Sequence, residues 1–290
     1  MTAPFPKRLY WWLDQRFPPV VYTLLVGLFF ASAQLVAVQL GGTGSLDPLA
    51  AVVAWCFFLH LRIFDEHKDY DADIVAYPDR VLSKGLVTLG HLRWLAAAAI
   101  VVQLCGALWM GQSAVLWWAF AFAFSVAMFF EFGFSAWLSE HMVVYAVTHN
   151  PVTVFVAMFV WAATGAPWHW GFVWYLALAT FGMLSFEFAR KTRLPAEEHK
   201  GVPSYSSVLG QGPARQMLAV TYLAVGVSLT GLAWAMGASV PLSLGVGIGC
   251  AAPGLLSCMG MQKAKIVEGA ASVVLLSTFI VSGGLAWSLS

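Results

Sequence analysis

The sequence predicts an all-α, polytopic membrane protein, and three observations support this fold class. Of the 290 residues, 60% are hydrophobic and only 10% are charged, whereas a soluble domain carries about 25% charged residues. Apolar segments of about 20 residues, the length that a membrane-spanning helix needs, recur along the chain. The basic residues all fall on one side of these segments. We therefore expect a single integral membrane domain over residues 1–290, with about nine transmembrane helices.

Nine segments are long and apolar enough to form the predicted spans. They cover roughly 19–40, 48–64, 93–111, 114–137, 141–164, 168–189, 216–236, 239–260 and 267–288. The eighth segment is rich in glycine and contains Pro253, which predicts a kink. We expect no cleavable signal peptide, because the first residues are mixed and aromatic and lack a short apolar core followed by a small-residue cleavage site.

The positions of the basic residues predict the orientation. All 15 Lys and Arg residues lie at the N-terminus, in the loops after the second, sixth and eighth spans, or at adjoining helix ends. Because cytoplasmic loops are enriched in Lys and Arg, we predict a cytoplasmic N-terminus and a C-terminus on the far side. The protein is then a multi-pass protein of the cytoplasmic membrane, the inner membrane of a bacterial cell. A net charge of +1 gives no indication of a nucleic-acid partner.

Two long polar loops, about 62–92 and 187–215, contain most of the acidic residues. In the first loop Asp65, Asp69 and Asp73 are spaced by four residues. On a helix that continues from the second span they form one stripe, with Arg62 and Glu66 beside it. Like charges at this spacing destabilise an isolated helix, and a divalent cation in front of them would offset the repulsion. Mg²⁺ is usually held by one or two carboxylates together with substrate phosphates, so the stripe predicts a Mg²⁺ site.

Basic residues accompany the acidic stripe. Arg80 and Lys84 follow it at a spacing of four, and Arg190, Lys191 and Arg193 lie in the second loop. Such side chains bind phosphate oxygens through charge-assisted hydrogen bonds. Carboxylates for Mg²⁺ and cations for phosphate, both at a membrane surface, indicate an amphiphilic diphosphate as the substrate.

On these residues the chain resembles the UbiA superfamily of intramembrane prenyltransferases over nearly its whole length. The family motif is N-D-x-x-D-x-x-x-D followed by R-P-L-x-x-G, and residues 65–73 (DEHKDYDAD) and 80–85 (RVLSKG) match it closely. Asp65 and Glu66 replace the Asn and the first Asp, and the other two acids of the motif are present. The resemblance implies a UbiA-like bundle of nine helices.

The second loop matches the family in its closing segment. Residues 201–210 (GVPSYSSVLG) are similar to the family's G-I-x-[ST]-x-x-x-x-[LF]-G. Glu197 stands where the family has its last metal-binding Asp, but Arg193 replaces the Asp expected four residues earlier. Glu187 and Glu198 are candidate replacements. The second metal motif is therefore altered, with basic residues of the loop taking part of the phosphate binding.

The resemblance implies that an isoprenyl diphosphate enters from the membrane lipid and that Mg²⁺ binds its diphosphate. The implied metal ligands are Asp65, Glu66, Asp69, Asp73, Glu187, Glu197 and Glu198. The implied substrate-binding residues are Arg62, Lys68, Arg80, Lys84, Arg190, Lys191, Arg193 and Tyr205. The acids of the first motif are also the expected catalytic residues, together with Asn150.

Polar residues inside the predicted spans are further candidates. Asn150 lies beside His149 in the fifth span, just before Pro151, which frees backbone groups locally. Glu131 lies in the fourth span and Gln103 in the third. Ionisable groups at membrane depth are functional candidates, whereas an interhelical hydrogen bond is their structural explanation.

The implied activity is Mg²⁺-dependent transfer of a prenyl group to an aromatic or other lipophilic acceptor, whose identity the sequence does not reveal. One departure from the family keeps an alternative open. Residues 134–141 (FSAWLSEH) lack the Tyr-x-x-x-Lys-Arg-like stretch that family members often carry after the fourth span. The alternative is a membrane terpene cyclase that needs no acceptor. A non-enzymatic transporter is a second alternative, but its acids should lie near the bilayer midplane.

Overall fold

The structure is a computed structural model that describes residues 3–42, 47–198, 203–259 and 263–289. All regular elements of these residues are helical. In chain order the α-helices are α1 (Phe5–Arg16), α2 (Pro19–Gln39), α3 (Pro48–Lys68), α4 (Tyr70–Ala76), α5 (Leu89–Met110), α6 (Gln112–Phe129), α7 (Ser135–Glu140), α8 (Met142–His149), α9 (Val152–Ala163), α10 (Gly171–Arg190), α11 (Tyr205–Leu209), α12 (Gln211–Ala235), α13 (Val240–Ser257) and α14 (Ala264–Leu289). Short 3₁₀ turns occupy Glu131–Gly133 and Pro195–Glu197.

The predicted number of spans is confirmed within the described residues. Nine helical segments there are long and apolar enough to cross a membrane, namely α2, α3, α5, α6, the α8–α9 pair, α10, α12, α13 and α14. Several of these helices begin at residues that favour a helix N-terminus. The Asp47 side chain caps α3 by accepting from the Leu49 amide at 2.8 Å, and α2, α3 and α13 carry proline in the first turn, where its missing N–H costs nothing.

The fourth span is shorter than the sequence predicted. Hydropathy extended it to residue 137, but α6 ends at Phe129. Glu131 and Phe132 then adopt positive φ angles of 48° and 55°, with which a right-handed α-helix cannot continue. Glu131 therefore lies beyond the end of the helix and not inside it, so its predicted position within the span was wrong.

The fifth span is broken where proline predicted a break. α8 ends at His149, and α9 starts after Pro151. Asn150 lies between the two helices, and its side-chain Nδ2 donates to the Thr180 carbonyl of α10 at 2.9 Å. Pro253 does not end its helix as Pro151 does, because α13 continues through it to Ser257.

Close helix packing depends on small residues, as is common between membrane helices. α12 packs against α10 and α13, α3 against α5, α6 against α9, and α2 against α14. A Cβ atom added to Gly247 of α13 would lie 2.5 Å from the carbonyl oxygen of Gly226 in α12. The two backbones are therefore nearly in contact, and no larger side chain fits between them.

A second, smaller apolar core lies beside the first polar loop. It includes Trp12 and Phe17 from the N-terminal segment, Ile63 from α3, and Val81 and Val87 from the loop. Hydrogen bonds add to this packing. Arg8 Nη1 donates to the Leu86 carbonyl at 2.8 Å, and the Val81 amide donates to Gln15 Oε1 at 3.0 Å. α1 thus holds the loop that follows the acidic stripe.

Candidate active site

The acidic stripe forms as predicted, at the junction of α3 and α4. Asp69 lies between the two helices, and the i to i+4 backbone hydrogen bonds continue through it. The Asp69 amide donates to the Asp65 carbonyl at 2.9 Å, and the Asp73 amide donates to the Asp69 carbonyl at 2.8 Å. The helical repeat is therefore kept, and the three aspartates stay on one side.

Glu66 is the buried centre of an ion-pair network. Its side chain is 2% exposed and forms an ion pair with Arg16 Nε through Oε1. Arg62 Nη2 lies 2.6 Å from the same oxygen, and Trp12 Nε1 donates to Oε2 at 3.4 Å. A buried carboxylate of this kind needs such partners, because an unpaired charge inside a protein is costly. Glu66 therefore ties α1 to α3.

Asp73 is also neutralised by arginines. Its Oδ2 lies 3.1 Å from Arg16 Nη2 and 2.6 Å from Arg80 Nη1. The Arg80 guanidinium lies 3.6 Å from the centre of the Tyr77 ring, which orients it. Arg16 bridges Glu66 and Asp73, so a residue of the N-terminal helix reaches two acids of the first loop.

Asp65 and Asp69 are the open members of the stripe. The Asp65 side chain is 48% exposed, and its nearest cations, Arg62 and Lys68, are 3.8 and 3.9 Å away. Asp69 keeps part of its surface accessible. The surrounding protein removes enough hydration to raise the pKa of the Asp69 carboxyl, and the Lys68 ammonium opposes this shift. These two carboxylates are free to take a further ligand.

The donor set fits Mg²⁺ that arrives with a phosphate ligand. No group of three or more His, Cys, Asp or Glu side chains within the described chain forms a ready-made metal cluster. Mg²⁺ does not need one, because it is usually bound through one or two carboxylates, waters and substrate phosphates. Asp65 and Asp69 offer only hard oxygen ligands, which fits that share.

Lys68 lies at one side of the site and connects the stripe to α8 and Glu131. Its Nζ donates to the Tyr145 hydroxyl of α8 and lies 3.6 Å from Glu131 Oε1. The predicted substrate-binding residue Lys84 lies elsewhere. It pairs with Asp79 Oδ1 at 3.0 Å at an exposed position, and the structure does not bring it to the stripe.

The second loop presents a mixed cluster at the end of α10. Glu187 pairs with Arg190 Nη2 at 2.6 Å and with Lys191 Nζ at 2.8 Å. Tyr205 is buried, with its ring edge-to-face against Phe188 at 5.1 Å. Burial raises the pKa of the Tyr205 hydroxyl, and the Glu187 carboxylate adds to the shift.

The two remaining predicted acids of this loop are engaged by hydrogen bonds from the protein. Glu197 Oε2 accepts from the amides of Ala264 at 2.9 Å and Leu194 at 3.2 Å, and these hydrogen bonds lower the pKa of Glu197. Glu198 Oε1 accepts from the Ser204 hydroxyl at 2.6 Å. The Arg193 guanidinium has a buried Nη1 without a partner among the described residues. Residues 201 and 202 of the closing segment lie outside the described residues.

The two loops border one space at the end of α2. Tyr22 interacts electrostatically with Asp65 of the first loop and with Arg190 of the second. Asp65 of the first loop and Arg190 of the second therefore both lie within electrostatic range of Tyr22. This arrangement allows a multiply charged anion to be held from two sides.

Sequence reasoning missed Arg16, Trp12 and Tyr145. Arg16 is 50 residues from Glu66, and the contact arises only because α1 folds back on the loop. It was counted among the basic residues that predict orientation, and nothing in its neighbours marks it as a site residue. Tyr145 could have been noticed through its spacing of four from His149, which places both rings on one face of α8.

Comparisons with known proteins agree with this architecture. The UbiA prenyltransferase family matches residues 20–266. A solved apo structure of a UbiA homologue from Aeropyrum pernix K1 has a TM-score of 0.67 and 16% identity, covering 92% of this chain and 97% of that one. A structure from work on digeranylgeranylglyceryl phosphate synthase in membranes has a TM-score of 0.63 and 11% identity, covering 96% and 99%. No curated protein matches in sequence. The chain therefore belongs to the UbiA prenyltransferase family and has its fold.

Proposed function

We propose that the protein transfers a prenyl group from an isoprenyl diphosphate to an aromatic or other lipophilic acceptor within the membrane, in a Mg²⁺-dependent reaction. One observation carries this proposal. The open carboxylates Asp65 and Asp69 share one end of an apolar helix bundle with the Arg190 and Lys191 cations, and Tyr22 lies within electrostatic range of both Asp65 and Arg190. This combination suits a ligand with a diphosphate head and a hydrocarbon tail.

The residues have distinct roles in this proposal. Asp65 and Asp69 would hold Mg²⁺, with Glu187 of the second loop as a further candidate carboxylate. Bound Mg²⁺ supplies Lewis-acid stabilisation of the departing diphosphate. Lys68, Arg190 and Lys191 lie where they can contact phosphate oxygens, since each has an ammonium or guanidinium group at the border of the site.

The other charged residues hold the side chains of the site in position. Glu66 and Asp73 position Arg16, Arg62 and Arg80 around the stripe through ion pairs. In the reaction the carbon–oxygen bond of the prenyl diphosphate breaks, and diphosphate leaves with the electron pair. The acceptor forms a bond to the allylic carbon and loses a proton.

A terpene cyclase is the second candidate, and the departure at residues 134–141 favours it. α7 occupies this stretch, and its side chains from Ser135 to Glu140 include no basic group. Without cations to orient an acidic acceptor, the allylic cation is more easily captured by its own double bonds. Aromatic rings near the stripe can stabilise such a cation, for example Phe64, which packs against Phe129 with 5.1 Å between ring centres.

Product analysis decides between the two candidates. Purified protein is incubated with geranyl, farnesyl or geranylgeranyl diphosphate and Mg²⁺, first alone and then with aromatic acids and phenols. Mass analysis of the hydrophobic extract and an assay for released diphosphate follow. Prenylated acceptor supports transfer, and a cyclic hydrocarbon or terpene alcohol formed without acceptor supports cyclisation. Release of diphosphate that persists in EDTA would contradict the Mg²⁺ requirement, and no release in any mixture would contradict both functions.

A further inference from the structure

The reaction proposed above produces a proton that some group must accept. Aromatic and heteroatom acceptors both lose a proton after they bond to the allylic carbon. Cyclisation also ends in proton loss, either from carbon or from the water that captures the cation. Asp65 and Asp69 are assigned to the metal, and Glu66 and Asp73 are held by arginines. These four acids are therefore not available as the proton acceptor.

His149 has an unused lone pair in a buried position. Its Nδ1 lies 2.8 Å from the Tyr145 carbonyl oxygen. A carbonyl only accepts hydrogen bonds, so in the neutral ring Nδ1 carries the proton and Nε2 carries the lone pair. Nε2 is buried and has no hydrogen-bond partner among the described residues. Buried polar atoms are rarely left in this state, which points to a partner that arrives with the substrate.

The imidazole lies beside the acidic stripe. Its ring stacks on Tyr145 with 3.9 Å between centres and 13° between planes. The Tyr145 hydroxyl accepts from Lys68, which is 3.9 Å from Asp65. The ionisable groups facing His149 are thus Lys68, Tyr145 and Glu131, and the Met128 carbonyl also lies close enough to interact with the ring.

The backbone around this group is strained. Glu131 and Phe132 hold left-handed φ angles of 48° and 55°, which are unfavourable for non-glycine residues and often occur at functional sites. This turn directs Glu131 to Lys68, and it places the Phe132 ring edge against His149 at 5.4 Å. The helix break after His149 leaves the ring at the end of α8. The end of α3, the turn at residues 131–132 and the end of α8 therefore converge around the His149 ring.

From this geometry we propose that His149 accepts the proton released when the prenyl cation is captured or quenched. The proposal rests on the proposed function and extends it. As the new bond forms, the C–H or X–H bond of the nucleophile breaks and the proton moves to His149 Nε2, while diphosphate retains the electron pair of the cleaved carbon–oxygen bond. The Glu131 carboxylate favours the resulting imidazolium, and the Lys68 ammonium opposes it.

The chain offers a matched control for this histidine. His141 Nδ1 also lies 2.8 Å from the carbonyl oxygen of the residue four positions earlier, Trp137, and its ring stacks on Trp137 at 4.3 Å. Unlike His149, it is exposed. His149→Gln and His141→Gln therefore remove similar local contacts, and only the former removes a buried base.

The experiment measures product formation, diphosphate release and binding of farnesyl thiolodiphosphate with Mg²⁺ in both variants. We expect His149→Gln to lower kcat for product at least about 100-fold, the usual contribution of general-base catalysis, with thiolodiphosphate binding changed less than about twofold. Wild-type kcat should rise with pH between about 5 and 8, where a histidine loses its proton, and the variant should lose this dependence. His141→Gln should behave as the wild type.

The outcomes separate this proposal from the proposed function. A wild type that releases no diphosphate with any prenyl diphosphate or acceptor overturns both. A wild type that turns over, together with a His149→Gln variant of equal rate and pH profile, overturns only the proton acceptor. If His149→Gln does not fold, His149→Ala is assayed with added imidazole. Rescue that depends on imidazole concentration supports the proposal, and a folded variant without rescue contradicts it.

Discussion

Glu66 and Asp69 are three residues apart in sequence, and their carboxylates meet different surroundings. Glu66 is buried and bound by Arg16, Arg62 and the Trp12 indole. Asp69 keeps an accessible surface, and none of the ion pairs within the described residues involves it. The same side-chain chemistry is therefore paired and buried at one position and left accessible to a ligand at the other.

Substitutions at the two positions should separate stability from activity. We expect Asp69→Asn to reduce product formation more than about 100-fold, since it removes a proposed metal ligand, and to leave the thermal unfolding midpoint in detergent unchanged. Glu66→Gln should lower the free energy of unfolding by about 3 kcal/mol, because Arg16 and Arg62 lose their buried partner.

Asp71→Asn is the control for this pair, because Asp71 lies on the same short helix and is exposed. It should keep both activity and stability. An Asp69→Asn variant with full activity would remove Asp69 from the metal site. A Glu66→Gln variant as stable as the wild type would show that the ion-pair network contributes little.

The residues predicted from sequence are those whose contacts are local. The spacing of Asp65, Asp69 and Asp73 was enough to predict the acidic stripe, because a helix places residues four apart on one face. The partnership of Arg16 with Glu66 depends on how α1 docks, and no local pattern contains that information. For the same reason Glu197 was expected at the metal, whereas its carboxylate accepts from the first amide of α14.

At the scale of elements, α1 packs against the first polar loop and holds its conformation. It contributes the buried Trp12 ring, the Arg16 guanidinium and hydrogen bonds to the loop backbone at positions 81 and 86. The loop between α4 and α5 has only short turns of its own. Its conformation therefore depends on contacts with α1.

Gln15→Ala should selectively weaken the contact between α1 and the loop. The substitution removes the acceptor of the Val81 amide, a hydrogen bond worth about 1 kcal/mol, so amide exchange at Val81 should accelerate about fivefold. Hydrogen exchange followed by mass spectrometry of the 77–86 peptide measures the change. Asp14→Ala, at the exposed neighbouring position, should have no effect. Equal exchange in the Gln15→Ala variant and the wild type would show that the loop holds its shape without α1.

Helix packing gives a second prediction at this scale. Gly247 and Gly249 belong to the same helix, but only Gly247 lies against another backbone, that of Gly226. Alanine is normally the better helix former by about 1 kcal/mol. We expect Gly249→Ala to be neutral or stabilising and Gly247→Ala to lower the unfolding midpoint in detergent, since overpacking costs about 1–3 kcal/mol. The opposite order would contradict the close approach of α12 and α13.

Hydropathy located the spans but not all of their ends. The apolar sequence continues past Phe129, so composition alone extended the fourth span to residue 137. The helix ends earlier because Glu131 and Phe132 are left-handed, and that conformation leaves no trace in average hydropathy. The break in the fifth span was predictable because proline cannot donate a backbone hydrogen bond.

At the scale of the whole molecule, the bundle separates its charges from its apolar surface. The acidic stripe, the Glu187 cluster and α1 share one end of the spans, and long apolar helices form the remainder. The fold class followed from composition because lipid allows few alternatives to helices in a chain of this kind. Relative helix positions did not follow, since apolar spans look alike in sequence.

The predicted orientation can be tested by labelling. In a variant whose native cysteines are replaced by alanine, Lys84→Cys reports on the charged end and Ser113→Cys on the opposite end; both positions are exposed. With basic loops in the cytoplasm, a membrane-impermeant maleimide added to intact cells should label position 113 and not position 84 until the cells are opened. The reverse pattern would invert the topology.

The ion pairs of the site have a consequence for how the substrate arrives. The acidic groups around it are Asp65, Glu66, Asp69, Asp73, Glu131 and Glu187, and the basic groups are Arg16, Arg62, Lys68, Arg80, Arg190 and Lys191. As ionised groups these charges cancel, so little field extends beyond the Debye length of about 8 Å at physiological salt. Long-range steering of an anionic head group is then weak, and encounter is governed by lateral diffusion of the tail in the bilayer. Association rates should accordingly change little with ionic strength.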